Sequence, residues 1–192
     1  MIIYDITQEL FSCEVYPGDP APKKEILAST DKGEVCNLTA LSMCAHNGTH
    51  IDAPYHFFSD GKTVDMLPLE KTVGEAYIAE HTGDVSAGDA ENILKKANGI
   101  SRILIKGDAT VTEEAARVFA EADIDLLGNE SQTVGPKEAP MAVHKILLSR
   151  DVVLLEGIRL GDVPEGIYML CAQPINLGGC DGAPTRAILI KN

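Results

Sequence analysis

From about Ile103 to Glu156 the chain reads β-α-β-α-β, and no other feature of the sequence constrains the fold as much. RILIKG, IDLLG and VVLLEG are short, continuously apolar runs, the pattern of strands covered on both faces. Between them, TEEAARVFAEA places Ala115, Val118, Phe119 and Ala122 at helical spacing, and MAVHKILLSR is a second helical segment. Thr112 is positioned to cap the first of these, with Glu113 and Glu114 facing its positive end. A further helix is expected at AENILKKA, where Ala90, Ile93, Leu94 and Ala97 fall at i, i+3, i+4 and i+7. Alternation of this kind predicts a partly parallel sheet with helices packed on it.

The first half is patterned differently. MIIYDIT, KEILAST and CNLTALSMCA predict strands around a Pro/Gly loop at YPGDPAP, and IYMLCA and TRAILI predict strands near the end. No repeat, low-complexity tract or linker divides the chain. Residues 1–192 are therefore expected to form one α/β domain with a mixed sheet, long enough to bury a sizeable core.

A net charge of −13, with 16 scattered basic residues, argues against nucleic-acid or anionic-membrane partners, which require clustered Lys and Arg. MIIYDITQELF lacks the features of a signal peptide, and no stretch approaches the roughly 20 apolar residues of a membrane span. Cys13, Cys36, Cys44, Cys171 and Cys180 form no CxxC pair, and an odd count leaves at least one free thiol. A reducing cytoplasm and buried, unreactive thiols are the expectation.

Residues 46 to 56, HNGTHIDAPYH, hold three of the five histidines, where an even spread over 192 residues would leave about 0.3. Gly48 and Pro54 make a helix poor here. In an extended chain His46, His50, Asp52 and His56 share one side, since all are even-numbered. A straight strand would hold His46 and His50 roughly 13 Å apart, at the limit for sharing an ion, so a bend at Gly48 is required. Imidazole and carboxylate suit Zn2+, Mn2+ or Fe2+. A structural zinc knot leans on cysteine, and the adjacent Cys44 shares the even parity. Two His and one Asp would leave positions open for water and substrate. The competing reading is a polar loop with unrelated histidines.

HNGTHIDAPYHF also matches the HxGTHxDxPxHF signature, so the chain resembles the cyclase family of metal-dependent hydrolases, which includes bacterial kynurenine formamidases (arylformamidases) and isatin hydrolases. YPGDP at 16–20 and GCDGAPTRAIL at 179–189 are similar to further family segments, so the resemblance spans nearly the whole chain. It implies a swivelling β/α/β-like fold and a centre of two divalent ions, Zn2+ first and Mn2+ as the alternative. His46, His50 and Asp52 correspond to ligands of the first ion, with Asp52 bridging to the second. His144 and Glu156, twelve residues apart, correspond to the remaining ligands, and His56 to the catalytic histidine. By pattern alone, His144 reads more readily as a core histidine and Glu156 as a turn residue ending a strand. His81 has no such context and reads as a surface residue.

The chain departs from the family pattern at Tyr16, where Trp is common, at NESQTV (129–134), and at Gln173, where Leu is more frequent. These departures lie around the expected substrate pocket. The resemblance implies hydrolysis of N-formyl-L-kynurenine to L-kynurenine and formate. Ring opening of a cyclic amide or lactone is the alternative, and a metal-binding module without catalysis the non-enzymatic one. A small-molecule substrate and a homodimer or homotetramer are implied, with Arg186 either near a neighbouring site or in a surface salt bridge.

Overall fold

The computed structural model describes residues 1–191. In chain order the strands are β1 (Ile2–Asp5), β2 (Lys23–Ala28), β3 (Leu38–Ser42), β4 (His50–Asp52), β5 (Val73–Glu80), β6 (Gly83–Val85), β7 (Arg102–Lys106), β8 (Ala109–Val111), β9 (Leu126–Asn129), β10 (Val153–Glu156), β11 (Gly166–Cys171), β12 (Gly182–Pro184) and β13 (Ile188–Lys191). Helix α1 (Ala87–Ala97) lies between β6 and β7, α2 (Glu113–Glu121) between β8 and β9, and α3 (Met141–Leu148) between β9 and β10.

Nine strands form one sheet in the order β1-β13-β11-β5-β7-β9-β10-β4-β12. Its middle, β5-β7-β9-β10, is parallel, and the flanking pairs are antiparallel. The expected α/β class with a mixed, partly parallel sheet is thus the observed one. Because β1 pairs with β13, the two ends of the chain meet on one sheet edge.

The continuous apolar runs are explained by burial of both faces. Ile103, Ile105, Leu127 and Leu154 join Phe119, Val143 and Leu147 under the helices. The alternating neighbours Leu104, Leu126, Val153 and Leu155 join Ile51, Tyr168 and Leu189 on the other face. This is the period-two consequence of a pleated strand.

The helix signals act where expected. Ser86 and Asp89 cap α1 reciprocally, and the helix stops at Asn98 in the left-handed region. The Thr112 hydroxyl accepts the Ala115 N–H at the start of α2. Ala122 departs from expectation: α2 ends at Glu121, the chain turns through Asp123 at φ +53°, and Ala122 is left exposed.

VGEAYIAE carries no clean strand pattern, since Gly74 and two glutamates interrupt it, yet it forms β5, the longest strand and the junction between the parallel and antiparallel parts. Its register is imposed by β7 and β11 on either side. The segments KEILAST and CNLTALSMCA become β2 and β3, a two-stranded hairpin outside the main sheet. Ile26, Leu27, Leu38 and Leu41 on it are all more than half exposed.

Phe119 is fully buried at the centre of the helix-side core. Replacing it with alanine is expected to destabilise the fold by about 3–5 kcal/mol in urea unfolding, the usual cost of deleting a buried aromatic ring. A loss below about 1 kcal/mol would show that this core does not hold α2 to the sheet.

Candidate metal centre

β4 is the middle of HNGTHIDAPYH: a fully buried strand of three residues, antiparallel to β10 on one side and β12 on the other. Register sets His50 opposite Glu156 and Asp52 opposite Leu154. Gly48 adopts φ +66°, which supplies the bend the spacing demands. Pro54 then opens a short 3-10 turn, Pro54–His56.

Asp52 lies at the shared corner of a closed ring of side chains. Its Oδ1 faces His46 Nδ1 at 2.7 Å and His50 Nε2 at 3.4 Å, while Oδ2 faces His144 Nε2 at 3.5 Å. Glu156 closes the ring, with Oε2 at 3.4 Å from His50 Nε2 and Oε1 at 3.1 Å from His144 Nε2. All five residues named from sequence as ligands therefore meet, although His144 and Glu156 come from α3 and the carboxyl end of β10, about a hundred residues further along the chain. Ligand atoms within 4.8 Å of one another form two groups, His46–Asp52–His56 and His50–Asp52–Glu156, and Asp52 belongs to both. His46 and His50, expected on the same ion, both face Asp52 Oδ1.

Local backbone aims the imidazoles. His50 Nδ1–H donates to the Gly48 carbonyl at 3.0 Å, and His144 Nδ1–H donates to the Pro140 carbonyl at 2.9 Å. A carbonyl only accepts, so in both rings Nε2 is left to face the carboxylates. A backbone carbonyl holding Nδ1 while Nε2 points inward is how ligand histidines are commonly oriented. Glu156 is fixed by the Val134 N–H, which donates to Oε1 at 2.7 Å.

Asp181, in the GCDGAP segment, is a site residue that sequence reasoning did not single out. Its Oδ2 lies 2.8 Å from His46 Nε2 and 3.2 Å from His56 Nδ1, so one carboxylate holds both rings. The two imidazoles stack, with centroids 4.2 Å apart. The neighbouring Gly182 is required because a Cβ there would meet the Ile51 carbonyl at 2.6 Å and His46 Cε1 at 2.8 Å. Both nitrogens of His46 face carboxylates, so it must release one of them before it can bind an ion.

The ring of charges sets its own protonation. Burial opposes a charged His46, but Asp52 and hydrogen bonds to Asp181 and Asp52 outweigh it and push the pKa up to about 11. The same balance, with Asp52 and Glu156 as partners, raises His50 to about 9, and Glu156 with Asp52 raises His144 to about 9. Burial pushes Asp52 upward, yet the His46 and His50 rings hold it well below the ordinary carboxylate range. The hydrogen bond from His46 likewise lowers Asp181. Buried carboxylates balanced only by protonated imidazoles, at neutral pH, form a donor set suited to a divalent cation in place of those protons.

The cluster opens on a cavity of about 190 Å³, walled also by Tyr16, Asp19, Phe57, Gln132, Thr133 and Pro140. Gly157, at φ +68°, leaves the space that Gln132 Nε2 occupies. Arg186 is elsewhere: it is exposed, pairs with Asp5 and borders a separate cavity of about 520 Å³. His81 also stands apart, facing the Asp84 carbonyl.

Fold and site together define an α/β protein with a buried His/carboxylate centre at the carboxyl end of a parallel strand. Residues 4–136 match the model of the Cyclase family. Kynurenine formamidases from Salinibacter ruber and Bacillus anthracis are 33% and 32% identical, over 98% and 96% of this chain and 97% and 95% of theirs. A solved structure described as a potential metal-dependent hydrolase with cyclase activity is 30% identical and superposes with a TM-score of 0.84, covering 98% of this chain and 96% of that one. Isatin hydrolase A from Labrenzia aggregata, 20% identical, shares the fold at a TM-score of 0.83 over 98% of this chain and 93% of its own. The chain belongs to the cyclase family.

In the metal-free protein the raised histidine pKa values mean that the folded state keeps protons the unfolded chain has lost. That stabilisation is complete below the ordinary value of 6.5 and is lost as pH rises toward 9 for His50 and His144, with His46 following near 11. The lowered carboxylates work in the other direction, stabilising above their ordinary 3.8 and failing as pH falls below it. Thermal melts in chelator should therefore show a Tm that falls between pH 7 and 9. A flat or rising Tm over that interval would contradict the assigned protonation.

Proposed function

We propose that the chain, working as one domain over residues 1–192, is a metal-dependent amide hydrolase that cleaves N-formyl-L-kynurenine to L-kynurenine and formate. The observation that carries this reading is the convergence of His46, His50, His144 and Glu156 around Asp52 at the floor of a small cavity. His46, His50, Asp52, His144 and Glu156 would hold divalent metal, with Zn2+ the first choice and Mn2+ the second. Bound there, the metal supplies Lewis acidity that acidifies water and polarises the formyl carbonyl.

The remaining chemistry belongs to the chain's own side chains. His56 Nδ1 is tied to Asp181, which leaves Nε2 to exchange a proton. It takes the proton from the attacking water and returns it to the departing aniline nitrogen. Anilide is a poor leaving group, so this protonation governs the rate of C–N cleavage. Asp181 orients the ring, and Phe57, edge-on to His56 at 4.6 Å, limits its rotation. Ring opening of a cyclic amide or lactone is the second reading, favoured by a cavity smaller than the ~300–1,000 Å³ typical of drug-sized ligand sites.

A homo-oligomer, dimer or tetramer, is supported by the β2–β3 hairpin, whose apolar side chains lie uncovered although a lone hairpin is marginal in water. A cytoplasmic location is supported by the five free cysteines. No helix among the described residues is long and apolar enough to cross a membrane.

Chelation should abolish turnover of N-formyl-L-kynurenine, and Zn2+ or Mn2+ should restore it. Metal uptake without turnover of formyl-kynurenine or any cyclic amide would instead make the protein a binding module. His56→Ala is expected to keep its metal and lose about 10²–10⁴-fold in kcat, the usual range for a general acid–base; near wild-type turnover would remove His56 from this role. Asp52→Ala should lose metal, and full occupancy by elemental analysis would show that Asp52 does not bridge.

A further inference from the structure

Two neighbouring side chains in the cavity wall stand out from their surroundings. Gln132 and Thr133 line the cavity beside the cluster and are buried, 8% and 3% exposed. Gln132 Oε1 and Nε2 and Thr133 Oγ1 have no hydrogen-bond partner in the protein. Native proteins keep few such groups, because a buried amide or hydroxyl is costly to leave unpaired.

Their backbone, by contrast, is pinned. The Val134 N–H donates to Glu156 Oε1, the Thr133 carbonyl accepts from Asn129 Nδ2 at 3.1 Å, and the Gly157 N–H donates to the Ser131 carbonyl at 2.7 Å. The loop is thus clamped to the end of β10, and both side chains are held at a fixed place relative to Glu156.

The chemistry of the wall narrows what they can recognise. No Lys or Arg lines the cavity, while Asp19, Asp52 and Glu156 all do. An anionic group would leave Gln132 Oε1 unpaired and would meet these carboxylates. A cation would leave Gln132 Nε2 unpaired. A neutral cis-amide edge, with one N–H beside one C=O, satisfies both atoms of the Gln132 carboxamide at once.

We propose that Gln132, assisted by the Thr133 hydroxyl, is a specificity-determining residue that reads a cis-amide edge, a primary carboxamide or a ring amide, on a compact substrate. The proposal rests on the reading that this cavity receives an amide substrate, and it names a selected group that a cyclic amide carries and N-formyl-L-kynurenine lacks.

The test is an NMR titration of Zn2+-loaded protein with benzamide and with acetophenone, which has the same shape but lacks the N–H. Wild type should bind benzamide about tenfold more tightly, the value of roughly one hydrogen bond. Gln132→Leu should bring the two affinities together, as should Gln132→Met, which preserves side-chain length without an acceptor for the N–H and guards against misfolding of the leucine variant. Thermal melts establish that both variants are folded. A second arm compares kcat/KM for 2-formamidobenzamide and formanilide, and wild type should prefer the former through KM by a ratio that collapses in both variants.

Absence of discrimination in wild type, or its persistence in folded variants, overturns the proposal. Hydrolysis of both substrates at a ratio that Gln132 does not alter leaves the amide-hydrolase reading standing without it. Gln132-dependent benzamide binding without hydrolysis of either substrate supports the recognition site and removes the hydrolase reading.

Discussion

Asp52 and Glu156 are carboxylates buried within a few ångströms of one another, and much of the structure serves to make that arrangement tenable. Two like charges out of water are strongly unfavourable unless positive charge and hydrogen bonds surround them. Here the surroundings are three imidazoles and one backbone N–H. His50 and His144 are aimed by carbonyls at Gly48 and Pro140, which in turn depend on the bend at Gly48 and on the first turn of α3, and His46 is held by Asp181. The sheet brings these parts together by seating β4 between β10 and β12.

The same arrangement explains why the site is suited to exchange protons for metal. Each imidazole is more basic than usual because carboxylates face it, so at neutral pH the metal-free centre is held by protons. Divalent cations compete for those positions with greater charge and defined coordination. Asp181 sits at the margin, where it is partly exposed, and ties His46 to His56. One carboxylate thereby joins a proposed ligand to the proposed proton carrier.

Polar side chains in this cavity fall into two kinds. Those of the ring are mutually satisfied, and those of the Gln132–Thr133 wall are not. The distinction follows from position: the ring lies between strands whose register is fixed, whereas the wall is a loop that borders the space a ligand would enter. Fixed strand ends beneath and a loop above is a common division between chemistry and selection in α/β proteins.

The local rules in the sequence decided a good deal. Apolar runs of four or five residues separated by helical spacing dictated a parallel core covered on both faces, because only that environment buries every side chain of such a run. Parity in HNGTHIDAPYH applied only to His50 and Asp52 on β4, while the bend at Gly48 and the 3-10 turn at Pro54–His56 brought His46 and His56 to the same place. Family resemblance, rather than spacing, connected these residues with His144 and Glu156. Other features were decided by tertiary structure alone. β5 is a strand because β7 and β11 hold it there, against a weak pattern of its own. Asp181 meets His46 and His56 across 135 and 125 residues. The seating of His50 opposite Glu156 depends on sheet register. Contacts of this kind arise from the superposition of distant segments, and no local period in the chain encodes them.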